Sequence, residues 1–212
     1  MPRKGGRRRR KTRALDAYLA FVVFSAVGVA TWNLDQILRL TLLWMALLAF
    51  TLVYASGKRV VLAYGLSDVA RGALAGLLIS LPLVLLARDF FLVTVQRVFP
   101  VASTLTLFWG LFLVMPTIEA MYFRGFLQRE KGLRAAVLLY AAAAAIYFLP
   151  STLEGYVPVL AALVGGMGLF GFVYSYTRTL YGFGASLACQ SVVHFVLFIL
   201  PSLPQEFARL LA

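Results

Sequence analysis

Long apolar runs, each close in length to the thickness of a lipid bilayer, constrain the fold of this 212-residue chain more than any other feature. Hydrophobic residues make up 62% of the sequence and charged residues only 13%, whereas soluble domains carry about 25% charged residues. About 20 apolar residues cross the hydrocarbon core as a helix, because a helix satisfies its own backbone polar groups. The sequence therefore predicts an all-α, polytopic membrane helix bundle.

The apolar runs predict about seven transmembrane helices and one short interfacial helix. The expected spans cover residues 14–34, 37–56, 72–87, 101–128, 135–149, 157–176 and 184–200. Residues 58–71 are expected to form the interfacial helix and residues 88–100 an interfacial connector, and Pro82 is expected to bend the third span. A single transmembrane domain is expected to fill residues 14–212.

Positive charge is concentrated in residues 1–13, which hold eight of the twenty Lys and Arg residues and no acidic residue. We expect a disordered cytoplasmic tail attracted to anionic lipid headgroups, by roughly 1 kcal/mol per charge near the surface. No nucleic-acid partner is expected. With seven spans and a cytoplasmic N-terminus, eight of the remaining basic residues lie inside and four outside. The positive-inside rule therefore predicts an outside C-terminus, and the cell membrane is the expected location.

Two ionisable residues interrupt the apolar runs at similar expected depth. Glu119 lies ten residues before Arg129 in the fourth span, and His194, the only histidine, lies ten residues after Gly184 in the seventh. At 1.5 Å per residue, both should lie about 15 Å from the cytoplasmic boundary. A charge at the centre of a span costs about 3 kcal/mol or more, so such residues are usually paired, turned inward or functional. Together they favour a polar cavity inside the bundle, and the alternative for each is a hydrogen-bonded core group.

The segment Glu119-Ala120-Met121-Tyr122-Phe123-Arg124-Gly125 resembles the Glu-Glu-x-x-Phe-Arg-Gly signature of the CPBP family of intramembrane proteases, which includes the type II CAAX prenyl endopeptidases. Two later segments follow the family's order. Residues 146–152 (IYFLPST) stand where the family has Phe-x-x-x-His, and residues 191–198 (SVVHFVLF) stand where it has His-x-x-x-Asn. The resemblance covers about residues 105–200.

The resemblance implies a membrane bundle whose intramembrane cavity holds a glutamate and a histidine that activate water for peptide hydrolysis. Carried over residue by residue, Glu119 is the general base, His194 the oxyanion-site histidine, and Arg124 the residue that organises the first motif. On an ideal α-helix, Arg124 lies about 140° around from Glu119, from where its long side chain would reach the inner interface.

Three family positions carry other residues: Ala120 replaces the second glutamate, Thr152 the histidine and Phe198 the asparagine. General acid–base help is typically worth about 10²–10⁴ in rate, and an oxyanion donor about 10²–10³. We therefore expect a divergent, inactive relative that keeps a polar intramembrane cavity and binds a peptide or lipidated C-terminus without cutting it. Two alternatives stay open. One is an active intramembrane endopeptidase that uses Glu119 and His194, and the other is a non-enzymatic transporter or membrane assembly subunit.

No metal ion or other cofactor is expected. Zinc sites normally use three protein ligands, and the only candidates here are Glu119, His194 and Cys189. Cys189 and His194 are five residues apart and do not share the face of an α-helix. Because Cys189 is the only cysteine, an intramolecular disulfide is excluded.

Overall fold

The computed structural model describes residues 16–57, 65–98, 103–152 and 157–203, and all regular structure within these ranges is helical. This confirms the all-α class. Five segments are long and apolar enough to cross a membrane, which makes the chain a multi-pass membrane protein by length and composition. The basic tail of residues 1–13, expected to be disordered and cytoplasmic, lies outside the described residues.

The α-helices in chain order are α1 (Ala17–Ala30), α2 (Gln36–Gly57), α3 (Leu66–Val98), α4 (Thr104–Leu107), α5 (Met115–Glu119), α6 (Gln128–Thr152), α7 (Val157–Tyr181) and α8 (Phe183–His194). Three π-helical segments continue them without a break: π1 (Phe108–Val114), π2 (Ala120–Leu127) and π3 (Phe195–Ile199). A short 3₁₀ turn, Leu200–Ser202, follows π3.

The number of spans differs from the expected seven. α1 has 14 residues, fewer than the roughly 20 that a straight span needs, and Leu105–Phe148 forms one apolar segment of 44 residues. That segment contains a sharp break at Gly132, whose φ of 86° and ψ of 176° are accessible to glycine and to almost no other residue. The break falls in the charged stretch of residues 129–134, where a loop between two spans was expected.

Two segments expected at the membrane interface are parts of α3. This helix runs from Leu66 to Val98, so residues 66–71 are its first turns and not a separate helix, and residues 88–98 are helical and follow a break at Ala87. Asp68 and Arg71 form an ion pair of 3.6 Å one turn apart along the helix, so their charges do not end it. The backbone departs from helical angles at Ala87 and not at Pro82, where the bend was expected. Residues 58–64 and 99–100 lie outside the described residues.

Close backbone contact joins α3 to α8, which packs against α7 on another side. A Cβ atom added at Gly76 would lie 2.8 Å from the carbonyl oxygen of Cys189, and one added at Gly72 would overlap the backbone of Ala185. In lipid, helix association depends on such close packing, because the hydrophobic effect offers no drive between two apolar helices. The α3–α8 pair therefore depends on these two glycines.

Arg39 of α2 joins α2 to the last turns of α6. It is only 1% exposed, and its guanidinium donates hydrogen bonds to the backbone carbonyls of Gly28, Ile146 and Tyr147. Pro150, four residues after Ile146, has no N–H and so cannot donate the hydrogen bond that the Ile146 carbonyl would receive in a regular α-helix. From the distribution of basic residues, Arg39 was expected on the outer side of the membrane. It lies inside the bundle because it supplies this missing donor.

Candidate functional site

Glu119 ends α5, between π1 and π2, and is completely buried. Its Oε2 atom accepts hydrogen bonds from the hydroxyl of Tyr140 at 3.0 Å and from the side-chain amide of Gln190 at 2.7 Å. The same Gln190 nitrogen lies 3.2 Å from the Tyr140 hydroxyl. Three elements, α5, α6 and α8, thus converge on one carboxylate oxygen and close around it.

The other oxygen, Oε1, makes no hydrogen bond with any described residue, and neither does the hydroxyl of Tyr147. The Tyr147 side chain nevertheless lies close enough to interact electrostatically with Glu119. Tyr147 stands two turns after Tyr140 on α6, so both tyrosines project from the side of α6 that faces the carboxylate.

Arg124 lies between two tyrosine rings in the interior. Its guanidinium carbon is 4.7 Å from the ring centroid of Tyr140 and 4.9 Å from that of Tyr174, and the residue is 1% exposed. A desolvated cation–π contact is worth about 2 kcal/mol. Neither Nη atom has a hydrogen-bond partner among the described residues, but Glu119 is within Coulombic range.

The expectation that Arg124 reaches the inner interface is therefore wrong. The reason is the π-helical geometry of π2, which immediately follows Glu119. In a π-helix the hydrogen bonds run from residue i to i+5, so residues five apart lie on the same side, whereas in an α-helix they lie about 140° apart. π2 turns the guanidinium toward the interior, on the side of the helix that carries Glu119.

His194 ends α8 and is 1% exposed. Its Nδ1 atom lies 3.1 Å from the carbonyl oxygen of Leu111, which can only accept, so Nδ1 carries the hydrogen. Nε2 has no partner among the described residues, and the ring meets Phe198 at a centroid distance of 5.7 Å, nearly edge to face.

No hydrogen bond or ion pair joins Glu119 to His194, although both residues are described and both are buried. Gln190, one turn before His194, faces Glu119, whereas Leu111, two turns before Glu119, faces His194. The two segments therefore pack antiparallel, with the two candidate residues offset by about one helical turn along α8.

Two adjoining cavities lie beside this cluster. The inner chamber, of about 30 Å³, is lined by residues that include Trp44, Leu111, Met115 and Tyr147. The outer chamber, of about 290 Å³, lies between α3 and α7. Both have almost exclusively apolar atoms on their surfaces. Neither is lined by Glu119 or His194, so the polar cavity expected around this pair is not among the cavities described.

The three family positions with other residues have different surroundings. Ala120 is fully buried in π2. Phe198 places its ring against His194 and lines both chambers, which puts an apolar edge where the family has an amide. Thr152 is the last residue of α6, and its side chain is outside the described part of the structure.

Three residues that make direct contacts to Glu119 and Arg124 were not predicted from the sequence: Tyr140, Gln190 and Tyr174. A signal for Gln190 was present: it precedes His194 by four residues and so shares a helix face with it. Tyr140 and Tyr174 gave no such signal, because isolated tyrosines in apolar helices are common and their partners lie far away along the chain.

Within the described ranges, no group of three or more His, Cys, Asp or Glu side chains could hold a metal ion. Cys189 is a buried free cysteine.

Comparison with known proteins gives no match: no family model, no curated protein and no solved structure matches this chain.

Proposed function

We propose that this chain is a divergent CPBP-like intramembrane protein that does not hydrolyse peptides. The observation that carries the proposal is the closure of Glu119: one carboxylate oxygen is occupied by Tyr140 and Gln190, and the residue has no exposed surface. A general base must lie about 2.6–3.2 Å from the water that it activates, directly or through one further water. The contacts of Glu119 support a role in holding helices together around a buried charge.

The surroundings of His194 support the same proposal. An oxyanion site needs a hydrogen-bond donor aimed at the developing negative charge. In the neutral imidazole, the Nδ1 hydrogen is directed at the Leu111 carbonyl, which leaves Nε2 as an acceptor without a hydrogen to donate. Phe198, beside it, offers an apolar edge in place of an amide. The contacts of both residues support a structural role for this pair.

The test compares hydrolysis by the wild-type protein and by Glu119→Gln, purified and reconstituted in liposomes, over a library of prenylated and unmodified peptides. The matched control is Asp89→Asn, which makes the same carboxyl-to-amide change at an exposed position of α3. We expect all three proteins to release peptide fragments at the same background rate. Hydrolysis by the wild type and by Asp89→Asn that is lost in Glu119→Gln would establish the active endopeptidase instead.

We also propose that the chain crosses the cell membrane seven times, with its N-terminus in the cytoplasm. The break at Gly132 supports a division of the 44-residue segment into two spans, and α1 would supply the remaining one. Arg39 and Arg124 are buried in the bundle, so they are not counted among the basic residues on either side of the membrane. Outside the tail, seven basic residues then lie inside and three outside.

Accessibility of engineered cysteines tests this topology in a Cys189→Ala background. Asn33→Cys, in the α1–α2 turn, should react in intact cells with a membrane-impermeant maleimide, and Arg134→Cys should react only after the cells are opened. Both positions are exposed. The reverse pattern would invert the proposed orientation, and equal labelling of both cysteines in intact cells would contradict the odd number of spans between them.

A further inference from the structure

The inner and outer chambers lie next to each other and share part of their walls; together they are called the cleft. Four residues line both of them: Thr94, Leu163, Met167 and Phe198. The inner chamber is also lined by Leu111, whose carbonyl accepts a hydrogen bond from His194, and by Tyr147, which faces Glu119. The two chambers therefore lie between the surface of the bundle and the buried polar cluster.

The mouth of the cleft lies between α3 and α7, within two segments that are long and apolar enough to cross the membrane. Leu83 and Phe90 on α3 and Leu169 on α7 line the outer chamber and are exposed side chains. Since these positions belong to membrane-spanning segments, the mouth faces hydrocarbon.

Water does not suit this cleft. A buried water molecule needs about two to four polar partners, and apolar cavities stay dry and take up apolar molecules. The atoms on the surfaces of both chambers are almost all apolar. A hydrocarbon chain gains dispersion contacts with the walls and fills space that would otherwise be empty.

We propose that this cleft binds the acyl chain of a bilayer lipid, which enters between α3 and α7 and ends against Phe198. Binding at this site does not depend on peptide hydrolysis or on the family resemblance. The end of the bound acyl chain lies beside the ring of Phe198, which contacts His194.

Two neighbouring glycines on α7 allow a matched test. Gly166 lines the outer chamber, and an added Cβ there would meet no atom within 4 Å, so a larger side chain enters the chamber without a clash. Gly165 also has open space around an added Cβ, but it lines neither chamber. Gly166→Leu should therefore shorten the site, whereas Gly165→Leu should leave it unchanged.

The assay uses the full chain in phosphatidylcholine liposomes that contain a phosphatidylcholine with a photoactivatable diazirine in one acyl chain. After irradiation, adducts are mapped by mass spectrometry over a range of mole fractions of the probe. Adducts on Phe90, Met167 and Phe198 should saturate at a low mole fraction, whereas adducts on exposed Leu19 and Val22 of α1 should rise in proportion to it.

Gly166→Leu should reduce the affinity of the saturable site by about threefold or more, because the new side chain displaces about two methylene groups and the dispersion contacts that they make with the walls. Gly165→Leu should match the wild type, and both variants are checked for folding by size-exclusion chromatography and thermal unfolding. Excess oleic acid should compete for the site. Proportional labelling of the chamber residues, equal affinity in the Gly166→Leu and wild-type proteins, or competition by farnesol but not by oleic acid would each overturn the proposal.

Discussion

Replacement of Arg39 by methionine tests the connection between α2 and α6. Methionine keeps an apolar stem of similar reach but removes the donors to three backbone carbonyls. The Tyr147 carbonyl keeps the hydrogen bond from Gln36 at 3.1 Å, whereas the Ile146 carbonyl loses a donor that Pro150 cannot supply. An unsatisfied buried acceptor costs about 1–3 kcal/mol, and each of the other bonds contributes about 0.5–1.5 kcal/mol.

We therefore expect Arg39→Met to lower the free energy of unfolding by about 2–5 kcal/mol, after allowance for the desolvation cost that the charge no longer incurs. The assay is equilibrium unfolding in mixed micelles of sodium dodecyl sulfate, followed by tryptophan fluorescence. Trp44, on the same helix as Arg39, is a reporter close to the change.

A double-mutant cycle with Pro150→Ala isolates the cause, because alanine restores a backbone N–H for the Ile146 carbonyl. In the Pro150→Ala background, Arg39→Met should cost about 1–3 kcal/mol less than in the wild type. Additive effects of the two changes would refute this account of Arg39, as would an Arg39→Met protein as stable as the wild type.

Two further predictions concern helix contacts. Gly76→Ala should destabilise the protein by about 1–3 kcal/mol in the same unfolding assay, because the new Cβ would lie 2.8 Å from the Cys189 carbonyl. Gly165→Ala, in open space, should be close to neutral or slightly stabilising, and equal effects of the two changes would contradict the close α3–α8 contact. The hydrogen bond from Lys131 lowers the pKa of the Asp16 carboxyl below its ordinary value. Because the folded pKa is the lower one, this contact stabilises the fold at neutral pH and is lost as the pH falls through that pKa. Asp16→Asn should therefore flatten the acid side of a plot of α1 amide protection against pH, and an unchanged curve would show that the contact does not hold α1.

The helices of this chain could be predicted largely from its apolar runs. The expected spans 37–56 and 157–176 correspond to α2 and α7 within a few residues. Both runs are apolar over their whole length, so the thickness of the bilayer, and not a capping residue, determines how long each helix is. The prediction of a separate interfacial helix that includes residues 66–71 was wrong, because these residues are apolar enough between their charges to begin α3. Residues 88–98 follow a break at Ala87, where the third span was predicted to end.

The interior positions of the two arginines could not be predicted. Arg39 is buried because of carbonyls more than 100 residues away along the chain, next to a proline on a different helix. Arg124 faces inward because π2 shifts the helical register, and an α-helical projection cannot show such a shift. A charge count over loops assigns both residues to an aqueous side because it assumes that basic residues avoid the bundle interior.

The site could be predicted only in part. Glu119 and His194 were identified as interior groups on two helices, and both are buried on packed antiparallel segments. Their partners were not identified, because a hydrogen bond from Gln190 or Tyr140 depends on how three helices dock. Whether Glu119 and His194 share a water site or make two separate structural contacts depends on the offset of one turn between them. This offset cannot be read from the sequence.

The arrangement of the buried cluster is tested most directly by two double-mutant cycles that share Glu119→Gln. The free energy of unfolding is measured for Glu119→Gln combined with Gln190→Leu, and for Glu119→Gln combined with His194→Phe. We expect a coupling of about 1–3 kcal/mol in the first cycle, because Glu119 and Gln190 are in contact, and less than about 0.5 kcal/mol in the second. Strong coupling of Glu119 to His194, with none to Gln190, would contradict this arrangement and place the acid and the imidazole at one site.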